Sequence, residues 1–319
     1  MKIFDNPNFD FVKWRWQALA LSALVILAGA FVIGTRGLQK GVDFEGGTIV
    51  ILKFNETPNL NAIIAALGGD AVVQQYGEAA NRDVMIRVKR VGEETGGDLS
   101  REVDRIIATL KAAGVGSFDE TPVGTEIVGP VVGEQLRRQG IWATVLAMAG
   151  ILAYIALRFQ FSFAVGAVVA TLHDLLVCLA FLAFFRYDMT LNVVAGLLTI
   201  TGYSVNDTIV IFDRVRENMR GMRRDNLTTI VNTAVNQTLS RTVITAGTTL
   251  LSVIALYLFG GEVLEGFAFT MLVGIISGTY STVFIASAIA IVLQGRKPLK
   301  GQPAAATASS TRPSKRRAS

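Results

Sequence analysis

Gly202-Tyr203-Ser204-Val205-Asn206-Asp207-Thr208 lies inside a hydrophobic run from Leu191 to Phe212. A run of that length reads as a membrane-spanning helix, and a carboxylate inside one costs about 2.5–3.5 kcal/mol even on lenient insertion scales. Such a group faces a polar interior and takes a partner. One intramembrane arginine candidate follows, Arg241, at the start of the next hydrophobic run. If the fourth helix ends near Phe212, Asp207 lies about five residues in, roughly 7 Å along the axis, and Arg241 opens the fifth helix on the same side. A carboxylate poised between burial and pairing can titrate during a cycle. The same two residues can also make a structural ion pair, and residue type leaves both readings open.

The composition around that stretch fits a polytopic membrane protein: 319 residues, 51% hydrophobic, 17% charged, mean hydropathy +0.47. The formal charge of +5 is unevenly placed. Residues 38–130 hold 9 Lys and Arg against 14 Asp and Glu, leaving the remainder strongly basic. Positive charge retained on the cytoplasmic side explains this better than nucleic-acid binding, and no nucleic-acid partner is expected. The single cysteine, Cys178, and the single histidine, His173, both lie in hydrophobic runs. No Cys/His cluster has metal-ligand spacing, so no metal or cofactor is expected.

Six spans are expected, at residues 17–35, 141–157, 163–185, 191–212, 241–259 and 267–293. The first contains Ala28-Gly29-Ala30, a signal-peptidase-like triplet, but its apolar stretch continues through Ile33 and reads as an uncleaved anchor. Lys and Arg in the short loops place both termini in the cytoplasm, residues 1–16 at one end and a disordered basic tail, 294–319, at the other. Residues 213–240 read as a cytoplasmic loop whose amphipathic part, Asn226 to Ser240, lies along the membrane surface.

Residues 38–130 form the outer domain. Strands are expected at Thr48–Phe54, Ala71–Tyr76, Val84–Val88 and Ser117–Ile127, helices at Asn59–Leu67 and Leu99–Ala113, and a flexible loop at Val91–Asp98. The order β-α-β-β-α-β predicts a small ferredoxin-like α/β domain between the first and second membrane helices.

Polar residues recur at helical spacing within the spans. On the fourth helix they are Asn192, Gly196, Thr199, Tyr203, and Asn206 with Asp207; on the fifth, Arg241, Thr245, Thr248 with Thr249, and Ser252. Tyr203, Asn206, Thr245 and Thr248 read as helix-interface hydrogen-bonding groups. The sixth carries a small-residue face, Gly266, Thr270, Gly274, Ser277, Gly278 and Ser281, that permits close helix approach. His173-Asp174, mid-depth on the third helix, could extend a proton relay or cap a helix contact.

These residues resemble a known family. Gly41-Val42-Asp43-Phe44-Glu45-Gly46-Gly47-Thr48 is similar to the motif that opens the outer domain of SecD/SecF proteins. The stretch from Gly202 to Asn218, with Ser240–Thr249 and Leu258–Phe267, resembles the fourth-helix, fifth-helix and following-loop motifs of the SecF branch. The resemblance spans about Phe4 to Gln294 and implies membership of the resistance-nodulation-division superfamily, whose members have two six-helix halves. This chain supplies one half, so a separate SecD is the implied partner. The resemblance further implies association with the SecYEG channel, with YajC as an additional partner, in the bacterial cytoplasmic (inner) membrane. It implies use of the proton-motive force, with the proton as coupling ion, to complete the export of preproteins after SecA-driven translocation. Within the family, the positions of Asp207 and Arg241 are implicated in proton passage; His173 and Asp174 match its third-helix His-Asp pair. The expected role is non-enzymatic, since no catalytic triad, metal constellation or phosphate loop is present in the sequence. Two alternatives stand beside it: half of another proton-coupled exporter of the superfamily, or a structural translocon scaffold. Membrane lipids surround the chain in each case.

Overall fold

The computed structural model describes residues 7–68, 71–77, 79–88, 99–128 and 130–294. The expected loop at 91–98 and the tail beyond residue 294 lie outside the described residues. In chain order the elements are α1 (Arg15–Arg36), α2 (Val42–Glu45), β1 (Gly47–Lys53), α3 (Leu60–Ala66), β2 (Ala71–Tyr76), β3 (Asp83–Val88), α4 (Leu99–Ala112) and β4 (Gly124–Val128). There follow α5 (Pro130–Arg158), α6 (Phe161–Phe185), α7 (Leu191–Gly221), α8 (Leu227–Phe259), α9 (Glu262–Ser281), a π-type segment (Thr282–Ala286) and α10 (Ser287–Gln294). Among the described residues, six helical stretches are long and apolar enough to cross a membrane.

The α/β domain is the expected one. Its four strands run antiparallel in the order β2-β3-β1-β4, the ferredoxin-like arrangement. Alternation explains the packing: Val50 and Leu52 of β1 and Val84 and Ile86 of β3 are wholly buried on one face. Ile63 of α3 and Ile106 and Leu110 of α4 close that face. The last strand is shorter than its sequence suggested. Only Gly124–Val128 pairs along β1, while Phe118 makes an isolated bridge to Phe54.

In the bundle, α6, α7 and α9 form the centre, α1 packs on α6, and α8 packs on α7 and α9. α6 is apolar around its circumference and holds 14 buried residues, as a central helix must. The small face of α9 meets α7. A Cβ on Gly274 would stand 2.1 Å from Cγ1 of Ile200, so only glycine lets the two backbones come this close.

One element differs in kind from its expectation. No separate surface helix occupies 226–240; the stretch is continuous with the fifth span as α8, and α7 likewise runs on to Gly221. At 1.5 Å per residue each helix is roughly 46–50 Å long, well beyond the ~30 Å hydrocarbon core. The two extensions pack together. Ile230, Val231, Ala234 and Val235 are buried with Ile211, Phe212 and Val215, so the amphipathic face is covered by protein. Gln237 accepts from Arg214 (2.7 Å) and Asn218 (2.9 Å) across the hairpin. No Gly or Pro interrupts Ser240 to Ala246, which leaves nothing to end the helix there.

Candidate functional site: a buried carboxylate caged by serines

Asp174, on α6, is 1% exposed. Its Oδ2 accepts hydrogen bonds from Ser204 of α7 (2.5 Å) and Ser281 of α9 (2.7 Å). Its Oδ1 accepts from Ser277 of α9 (2.7 Å) and lies 3.0 Å from Nδ1 of His173. Three helices therefore converge on one carboxylate. Small residues make this possible, because Gly278 sits directly against Ser204 and lets α9 lie close against α7 beside the carboxylate. The helix changes to π geometry immediately after Ser281, a local widening frequently found beside functional groups.

His173 connects the cage to α1. Its Nε2 lies 2.9 Å from Oγ of Ser22. Tyr280 Oη donates to the carbonyl of Ala18 (2.7 Å), and Ser22 Oγ donates to Tyr280 Oη (3.3 Å). With the serine hydrogen so engaged, Nε2 carries the imidazole hydrogen and donates to Ser22; this tautomer is assigned from the bond network. A further proton lies between Nδ1 and Asp174, because two facing lone pairs at 3.0 Å would repel.

Asp207 lies one helical turn beyond Ser204 on α7. Its Oδ1 accepts from Thr242 of α8 at 2.9 Å. Its Oδ2 is shielded from solvent and has no hydrogen-bond partner among the described residues. Arg241, adjacent to Thr242, is exposed, and no ion pair joins it to Asp207 among the described residues. The helix rotation that points Thr242 inward turns Arg241 outward.

The other singled-out residues separate in the same way. Asn206 is exposed and Tyr203 half-buried. Thr245 and Thr248 are exposed, and their hydroxyls return to the backbone of their own helix, to Arg241 and Ile244 carbonyls at 2.9 and 2.8 Å. In the isolated chain these groups form an uncovered polar face on α7 and α8. Ser22, Ser204 and Tyr280 complete the buried network. Ser204 was within sight in the sequence, three residues before Asp207 and so on its helix face; nothing in the sequence pointed to Ser22 or Tyr280. Among the described residues no group of His, Cys, Asp and Glu is arranged to hold a metal.

Comparison with known proteins agrees with this architecture. Residues 108–296 match the protein export membrane protein SecD/SecF C-terminal family, and residues 31–58 match the SecD/SecF GG motif. The protein translocase subunit SecF of Desulfurispirillum indicum is 41% identical over 293 residues, covering 90% of this chain and 92% of that protein. The protein of the same description from Escherichia coli O157:H7 is 38% identical over 292 residues, covering 89% and 88%. The crystal structure of SecDF, a translocon-associated membrane protein from Thermus thermophilus, superposes with a TM-score of 0.79 at 32% identity. That match covers 91% of this chain but 39% of the longer SecDF chain. With the GG motif at α2, the shared C-terminal region and near full-length likeness to its subunits, this chain belongs to the SecF family of protein translocase subunits.

Proposed function

We propose that this chain is a proton-driven, non-enzymatic coupling subunit of the Sec preprotein translocase, acting with SecD to complete export across the bacterial cytoplasmic membrane. The observation that carries the reading is two carboxylates joined through α7: Asp174 of α6, buried and fully bonded, and Asp207 of α7, half-buried with one shielded oxygen unbonded among the described residues. An unbonded carboxylate oxygen at membrane depth is costly unless a donor or counter-charge meets it. Protonating Asp207 removes charge beside Thr242 and frees α7 to shift against α8. Ser204 carries that shift to Asp174 and, through His173 and Ser22, to α1. Arg241 then serves as a counter-charge that approaches Asp207 in another state of the cycle.

The uncovered polar face of α7 and α8 supports a second polypeptide. Asn206, Arg241, Thr245 and Thr248 at membrane depth call for a polar cover, and SecD, the other half of the SecDF chain, is the proposed one. SecYEG, with YajC, is the proposed channel partner, preproteins the substrate and lipids the surround. The positive loops support cytoplasmic termini, with the α/β domain on the opposite side.

The test is processing of a secretory precursor in cells whose only copy carries Asp207→Asn, with membrane level and SecD co-purification measured alongside. Stalled export with normal assembly is the expected result. Normal export refutes the role of Asp207, and loss of SecD association favours the scaffold reading.

A further inference from the structure

The proton reading places titration deep in the bundle, and the α/β domain meets the bundle at the far end of the same helix. The GG-motif segment lies directly against the start of α7. Oδ2 of Asp43, in α2, accepts from the backbone N–H of Leu191, the first residue of α7, at 2.8 Å. That N–H is one of the amides a helix start leaves without an internal partner, and a carboxylate there also favours the helix dipole. Gly41 N–H donates to the Met189 carbonyl at 2.7 Å, and Met189 N–H donates to Gln39 at 2.8 Å. A Cβ on Gly41 would fall 2.8 Å from that carbonyl, so the motif's glycine permits the contact. A second tie lies beside the first. Arg87, next to the last residue of β3, forms an ion pair with Asp188, two residues before α7's N-cap Thr190, and both side chains are largely buried. On the opposite side Gly133 of α5 closes on α2, where a Cβ would stand 2.9 Å from the Gly46 nitrogen.

We infer that Asp43 is a positioning residue that, with the Arg87–Asp188 pair, clamps the sheet of the α/β domain to the head of α7. α7 also bears Ser204 and Asp207. Axial displacement or rotation of α7 is thereby delivered to the domain rather than lost in a flexible linker. The inference rests on the proposed proton-driven shift of α7 and adds the route by which that shift leaves the membrane.

The experiment uses the full chain with its SecD partner in proteoliposomes. Spin labels at Gln74 on β2 and Leu258 near the end of α8, both exposed, report the distance from domain to bundle with and without an imposed proton gradient. The wild-type distribution is expected to shift with the gradient. Asp43→Ala should cut the shift in population ratio about fivefold, the effect of losing one helix-start hydrogen bond, while SecD co-purification stays normal. Asp43→Asn keeps an acceptor oxygen and should restore most of the response, which a purely electrostatic or general folding role would not. If Asp43→Ala fails to assemble, Asp188→Asn is measured in its place, and an undiminished response there overturns the clamp. An Asp43→Ala chain that responds like wild type overturns the clamp alone. A wild-type chain blind to the gradient overturns both the clamp and the proton reading beneath it.

Discussion

Replacing Asp174 separates a load-sharing hub from a replaceable polar contact. In Asp174→Ala, the hydroxyls of Ser204 and Ser277 and Nδ1–H of His173 lose the acceptor they now use. Ser281 keeps a second acceptor, the Gly278 carbonyl at 3.2 Å, and is left out of the count. Orphaning a buried donor costs about 1–3 kcal/mol, and the site is closed, with Ser204 at 0%, Ser277 at 7% and His173 at 7% exposure. Three orphans at the low end give about 3 kcal/mol, a change of roughly a hundredfold in the folding equilibrium. Asp174→Asn retains one acceptor oxygen, and Ser204 can rotate to accept from the new amide. It should lose about half as much, chiefly the charge assistance. The assay is loss of helical circular dichroism on titrating dodecyl sulfate into the purified protein in mixed micelles, comparing the three chains. Equal stability of wild type, Asn and Ala variants within about 0.5 kcal/mol, the range of ordinary surface substitutions, would refute the reasoning. It would mean that the serine bonds are not holding α6, α7 and α9 together.

Two further outcomes follow from particular contacts. Gly274→Ala forces a methyl against Cγ1 of Ile200 and should destabilise the bundle by about 1–3 kcal/mol, with partial recovery in the double variant carrying Ile200→Ala, which removes that atom; an additive double variant would argue against the contact. Glu126, on β4 outside the spans, has its carboxyl pushed above the usual range, first by partial burial and then by the nearby Asp43 charge, against the opposing pull of Arg87. A carboxyl raised in the folded state binds more protons there than when unfolded, so stability falls as pH rises from about 4.5 through its folded value. Glu126→Gln should flatten that segment of the stability–pH curve; an unchanged slope would refute the assignment.

Local signals account for what the sequence by itself determined. Hydropathy over about twenty residues marks the apolar spans, since crossing hydrocarbon demands a long helix whatever surrounds it. Alternation in Val50, Leu52, Val84 and Ile86, with a helical period in Ile106 and Leu110, marks the α/β domain. The Gly266–Ser281 face of α9 announced close packing through residue size alone. Hydropathy does not see a helix that continues past the membrane, so the extensions of α7 and α8 and the polar start of α5 emerged only in three dimensions. The site shows the same boundary. Asp207 and Asp174 were legible as carboxylates in apolar runs, but their partners were not. Ser22 bonds a histidine 151 positions away, and Ser277 and Ser281 reach an aspartate more than a hundred positions before them. Thr242 rather than Arg241 faces Asp207 because the helix phase set by α8's packing on α7 and α9 turns one residue in and its neighbour out. Residue type and period fix which groups must find partners. Only helix crossing and rotation, set by side chains far apart in the chain, decide which partners they find.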